Sequence, residues 1–209
     1  MGLKDVEALR SFCLELSSDA PSPGGGTASA AAGAMAASLL MMVCGITAKS
    51  KRHEPNKERL EALKAQLSMR REELFDLSRE DARAYDLVVE AMRKNRDSEN
   101  TESIRAMQDA LKLAAEIPMK TAAKCVEVLE ASIGVAELGT RSASSDVGVA
   151  VLLAEAGFKG AFMNVRVNLK DVRDSKFVES AMENLASCDR RVSDLTKDAL
   201  GRLGQLAQE

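Results

Sequence analysis

The sequence predicts an all-α fold, a bundle of five to six long helices, and three observations carry that prediction. Aromatic residues make up 3% of the chain, with no Trp, one Tyr and 4 Pro. Ala, Leu, Glu, Lys and Arg dominate instead, which favours helices over sheets. Apolar residues recur at helical spacing through most of the chain. No segment alternates convincingly like a strand, and Asn164 to Leu169, "NVRVNL", comes nearest. A length of 209 residues suits one domain, 1–209, with a sizeable core.

The first helix is expected over Leu3 to Leu16, where Leu3, Val6, Leu9, Phe12, Cys13 and Leu16 share a face. Ser17 to Gly26 stops it. Thr27 to Lys49 follows, rich in alanine, with bulk from Met35, Leu39, Met42, Val43 and Ile46. It is expected to be a central helix buried on all sides. Its length approaches that of a membrane span, but alanine gives little transfer energy and Ser29, Ser38 and Thr47 interrupt it. His53 to Asn56 is a break, with Pro55 near the next helix start.

Lys57 to Lys94 is one long helix, roughly 57 Å at 1.5 Å per residue. That exceeds a compact monomer of this size and suggests pairing with a second copy. Asn95 to Asn100 is a polar loop. Glu102 to Leu138 is helical, with a bend expected at Pro118. After a loop at Gly139 to Ser145, an apolar helix opens at Asp146, with Gly157 and Gly160 as candidate interruptions. The last helix covers Ser175 to Ala207.

A net charge of −3 gives no nucleic-acid footprint. Cys13, Cys44, Cys125 and Cys188 are dispersed and form no CxxC pair, as in a reduced, cytoplasmic protein. The opening MGLKDVEALR carries charges where the apolar core of a signal peptide is needed. His53 is the only histidine, which argues against a zinc site and against Ser-His-Asp chemistry.

Five features break the pattern. Leu60, Leu67, Leu74 and Val88 repeat every seven residues, with Leu63, Leu77 and Ala84 beside them, but position 81 is Asp81. A carboxylate there either reaches solvent through a bend or faces an internal cleft, with Tyr85 on the same wall. Asp146 opens an apolar helix, either as a cap or as a carboxylate held ionised by the helix terminus at the edge of a pocket. Lys49, Lys51, Arg52 and His53 end the second helix, where cations suit the dipole and could also hold ligand carboxylates. Asn164 and Asn168 lie four apart, on one face of a helix, as caps or as partners for a heterocycle edge. "PSPGGG", Pro21 to Gly26, lacks the GxxxxGK[ST] and GxGxxG patterns. It leaves unhindered backbone N–H groups at a helix start, suited to an anion or a polar ligand edge.

"PSPGGGTASAAAGAMAASLLMMVCGIT", "EDARAYDLVVEAM", "AMQDALKLAAEIP" and "SDVGVAVLLAEAGFKGAFMNVRVNL" follow in this order. Together they resemble the cyclodeaminase/cyclohydrolase family of folate enzymes, over about Leu9 to Leu203. The resemblance implies an all-α homodimer with a folate cleft beside the glycine loop, and no cofactor beyond the tetrahydrofolate substrate. It matches Pro23, Gly24, Gly25 and Gly26 to the family's PGGG, Asp81 to its acidic position before Tyr85, and Lys51 with Arg52 to a basic pair. Asp146 matches an aspartate proposed for proton transfer, and Asn164 and Asn168 match NVxxN. Thr140, Ser144 and Ser50 depart from residues frequent in the family.

The implied activity is hydrolysis of 5,10-methenyltetrahydrofolate to 10-formyltetrahydrofolate, favoured over cyclodeaminase because no formiminotransferase segment accompanies the chain. Formiminotetrahydrofolate cyclodeaminase is the alternative, and non-enzymatic folate binding a second. Asp146 is expected to hold water and move a proton, with Asp81 stabilising the cationic bridge. The glycine-loop amides, Tyr85, Asn164 and Asn168 would orient the ligand. Lys51 and Arg52 would hold its glutamate tail, which is often extended by further glutamates.

Overall fold

The computed structural model describes residues 6–98 and 100–206, so the predicted helix starts at Leu3 to Asp5 and the end at Ala207 lie outside the described residues. The described residues form helices α1 (Val6–Leu16), α2 (Gly25–Ala48), α3 (Lys57–Asp97), α4 (Thr101–Leu138), α5 (Ser144–Asn168) and α6 (Ser175–Leu206), with short 3₁₀ turns before α3, before α5 and after α5. The all-α expectation holds, with no strand among them. "NVRVNL" completes α5 as helix: Val165 is buried and Val167 exposed, so its alternation marks a half-buried helix face.

α2 is the structural axis and packs against α3, α4 and α5. It is the one helix among the described residues that is long and apolar enough to cross a membrane, and half of its apolar stretch is buried in the bundle. Ala30, Ala34, Ala36 and Ala37 are fully buried, which brings the neighbouring backbones close. α3 contributes the heptad stripe: Leu60, Leu67 and Leu74 are fully buried, with Leu77 and Ala84 nearly so. α4 continues through Pro118 and is opened by a reciprocal cap between Asn100 and Ser103. α6 closes the core from outside with buried Ala181, Leu185, Val192 and Ala199.

Gly157 and Gly160 do not interrupt α5. They are where it touches α2. A methyl group at Gly157 would lie 2.8 Å from the Ser29 carbonyl oxygen and 2.9 Å from Cys125 Sγ. Gly160 faces the Ser29 side chain. Because Gly25 meets Asn164 while Gly33 meets Gly157, α2 and α5 run antiparallel.

One expectation needs correction. α2 is not buried on all sides, and α5 likewise has an open face. Met35, Met42 and Ile46 on α2 are 44%, 41% and 48% exposed. Val149, Leu152, Met163 and Val167 on α5 are 49–65% exposed. Each helix keeps one apolar stripe open, because α3, α4, α5 and α6 cover only the remaining faces.

Candidate active site

The N-terminus of α2, the middle of α3 and the C-terminus of α5 converge on a cleft of about 330 Å³. Its walls include Gly24, Gly25, Gly26, Asp81, Tyr85, Asn164 and Asn168. Seven of the residues singled out from sequence therefore meet here, although they come from three helices. Pro23 is not on the wall, whereas Pro21 and Ser22 are.

Asp81 breaks the apolar stripe of α3 because it is aimed at the start of α2. The α2 N-cap, Gly24, has no side-chain oxygen to offer. Asp81 supplies one from another helix: the Thr27 hydroxyl donates to Asp81 Oδ2 at 3.0 Å, and the Thr27 backbone N–H donates as well. Unpaired N–H groups and the helix dipole favour a carboxylate at this point. Burial is the larger influence and pushes the Asp81 carboxyl above the ordinary aspartate range, while the Thr27 donors pull it back. The glycines make the approach possible. A methyl group at Gly26 would sit within 2.6 Å of both Asp81 oxygens. The three-glycine run is thus first a space for a carboxylate.

The two asparagines are oriented alike. Asn164 Nδ2 donates to the Gly160 carbonyl at 2.8 Å, and Asn168 Nδ2 donates to the Ala114 carbonyl at 2.6 Å. Each amide uses a nitrogen on backbone and keeps its Oδ1 as an acceptor. With Asp81, the polar part of the cleft is rich in acceptors, which suits a ligand edge of N–H groups or a cation. Val88, Met92, Leu111, Ala114 and Val167 form the apolar part, suited to a flat ring system. Asp171, three residues beyond Asn168, also lines the cleft. Sequence reasoning missed it; its spacing from Asn168 was the available signal.

Asp146, Lys51 and Arg52 lie elsewhere. Asp146 sits in the first turn of α5, and Asn164 is 18 residues along the same helix, so roughly 27 Å separates them. Asp146 is half-buried, and the helix N-cap is Ala143, so Asp146 does not take the cap position. Lys51 and Arg52 are exposed on the turn after α2, beyond the opposite end of a helix about 36 Å long. There the Thr140 backbone N–H donates to Thr47 Oγ1 at 3.0 Å, joining the α2 end to the approach to α5. Within one chain, the residues predicted to form one site occupy both ends of α2.

A larger groove of about 790 Å³ lies toward the tip of the α3–α4 hairpin, with Leu87, Ala91, Ala106 and Leu113 among its walls. It holds none of the predicted residues, and its Glu90 and Lys94 pair with each other at 2.6 Å. The smaller cleft carries the chemistry. Buried Cys44 and Cys125 have thiols pushed up to about 11 and about 12, so they are packing groups and not nucleophiles.

Residues 8–187 match the family model described as formiminotransferase-cyclodeaminase. Over 181 residues the chain is 37% identical to methenyltetrahydrofolate cyclohydrolase of Methylorubrum extorquens, covering 86% of this chain and 87% of that protein. It is 30% identical to formimidoyltransferase-cyclodeaminase of Mus musculus over 94% of this chain, but spans only 37% of that longer protein. The fold superposes on the crystal structure of formiminotetrahydrofolate cyclodeaminase from Thermotoga maritima with a TM-score of 0.86, at 29% identity, covering 95% of this chain and 96% of that one. With the match spanning most of its length and the fold shared, the chain belongs to the formiminotransferase-cyclodeaminase family.

Proposed function

We propose that this protein hydrolyses 5,10-methenyltetrahydrofolate to 10-formyltetrahydrofolate. The observation that carries the reading is 37% identity to a methenyltetrahydrofolate cyclohydrolase over nearly the full length of both chains. The cleft supports it: a cationic amidinium bridge fits between Asp81 and the acceptor oxygens of Asn164 and Asn168. Water adds to the bridge carbon, the bond from that carbon to N5 breaks, and N5 takes a proton. N10 keeps the formyl group, and the substrate's positive charge leaves as a proton. A carboxylate that holds the water and moves the proton lowers this barrier by about 10²–10⁴-fold in rate. No cofactor enters these steps.

In this proposal the working form is a homodimer. The open apolar stripes on α2 and α5 cover one another in a two-fold pair. A two-fold axis across the middle of α2 sets the two copies of that helix antiparallel. The Lys51, Arg52 and Asp146 end of one copy then lies beside the Asp81 cleft of the other. Asp146 moves the proton, Asp81 faces the cationic bridge, and Lys51 and Arg52 hold the glutamate tail, polyglutamylated or not. The cleft volume of about 330 Å³ suits a bicyclic head group, and the rest of the ligand extends toward the second copy.

Loss of the near-ultraviolet absorption of 5,10-methenyltetrahydrofolate on adding the protein tests this directly, with 10-formyltetrahydrofolate as the expected product. A second reading, formiminotetrahydrofolate cyclodeaminase, is favoured by the Thermotoga maritima likeness, which covers 96% of that chain. Ammonia release from 5-formiminotetrahydrofolate without methenyl hydrolysis supports the second reading over the first. Binding of either folate without turnover contradicts both.

A further inference from the structure

We infer that Thr27 is a positioning residue for Asp81, holding its carboxylate in the one orientation that faces the cleft. This rests on the reading of Asp81 as the group facing the substrate cation. Thr27 is 5% exposed and is not on the cleft wall, so it acts only through its partner. Its hydroxyl donates to Asp81 Oδ2 at 3.0 Å and its backbone N–H adds a second donor. The Gly26 Cα hydrogens pack against the same carboxyl group, which leaves that face without room to rotate.

The first turn of α2, which carries Thr27, is held by α3 and by α5. Ser78 Oγ donates to the Thr27 carbonyl at 3.4 Å, one turn of α3 before Asp81. The Ser29 hydroxyl donates to the Gly25 carbonyl at 2.6 Å, and α5 presses Gly157 and Gly160 against Ser29. The α2 start, the α3 acid and the α5 glycines therefore form one rigid support.

A threonine hydroxyl that donates to a carboxylate favours the ionised form. The titratable groups that share the cleft with Asp81 are Tyr85, on its own helix, and Asp171, on the turn after α5. The first turn of α2 has no acidic residue, and α4 presents Leu111 and Ala114. Thr27 is thus the neutral donor set against burial of the acid.

The test compares Thr27→Val, Thr27→Ser and Asp81→Asn in steady-state folate turnover against pH, with the Asp81 carboxyl carbon followed by NMR titration in the wild type and Thr27→Val. Thr27→Val keeps the shape and removes the donor. The expected result is kcat about tenfold lower, KM little changed, and both the acid limb and the NMR midpoint moved to higher pH. Thr27→Ser restores the wild-type profile. If Asp81→Asn is inactive while Thr27→Val keeps the wild-type kcat and NMR midpoint, Thr27 is structural only and the inference is overturned, with the reading of Asp81 intact. Wild-type turnover by Asp81→Asn overturns that reading, and the inference with it. If Thr27→Val does not fold, Thr27→Ala takes its place: an Asp81 midpoint and kcat equal to the wild type's overturn the inference, and a higher midpoint with lower kcat supports it.

Discussion

The two ends of α2 do opposite things with the same helix. At its start, three glycines strip away side chains, and a carboxylate from α3 accepts from the Thr27 N–H and hydroxyl. At its end, Lys49, Lys51 and Arg52 are exposed, and Thr47 Oγ1 accepts a hydrogen bond from the Thr140 backbone N–H. The helix dipole suits both arrangements, anion at the N-terminus and cations at the C-terminus. The first end is pre-organised, and at Gly26 it has no room for an added atom; the second is open, with Lys49, Lys51 and Arg52 exposed. A rigid end suits the reacting bridge of a ligand, and a solvated cationic end suits a long anionic tail.

Gly26→Ala attacks the rigid end hardest. Its methyl group must displace Asp81, and misplacement of a reacting group by about 1 Å costs roughly 10²-fold in rate. Turnover is expected to fall at least that far, with unchanged helicity by circular dichroism. Gly157→Ala is next, because its neighbours are the Ser29 backbone and buried Cys125. It is expected to cost about 1–3 kcal/mol of stability in denaturant unfolding.

The open end gives smaller effects. Lys51→Ala with Arg52→Ala is expected to raise KM several-fold, more for polyglutamylated substrate and less at high salt, with kcat nearly unchanged. A fall in kcat equal to that of Gly26→Ala would erase the distinction between the ends. The smallest effect is on stability against pH. The folded-state pKa of Asp81 is raised by burial. Its contribution to stability is therefore full below the unfolded aspartate pKa and is lost as pH rises through the folded one. Asp81→Asn should thus gain Tm relative to wild type between acid and neutral pH, in matched thermal melts.

The helices were legible because their apolar spacing is local. Leu60, Leu67 and Leu74 located α3, and the break at Asp81 left solvent or an internal cleft as its alternatives, of which the structure has the cleft. Asn164 and Asn168 were legible for the same reason. Gly157 and Gly160 were misread as interruptions because a glycine that ends a helix and one that admits a neighbouring helix look alike until the neighbour is known. The open stripe of Met35, Met42 and Ile46 was misread as core because apolar composition does not distinguish a buried face from an exposed one. The distance between Asp146 and Asp81 was hidden for a third reason: it depends on the antiparallel packing of α2 and α5, which no local spacing encodes.

In the proposed dimer the two ends of α2 work together across two copies of the chain. Mixing Asp81→Asn with Asp146→Asn protein, after dissociation and reassociation, tests it most directly. Each variant alone is expected to be inactive. A mixed dimer carries one site with both aspartates intact, so the mixture should recover roughly a quarter of wild-type turnover. A mixture as inactive as its two components, with mixed dimers demonstrated by native mass spectrometry, would contradict the shared site.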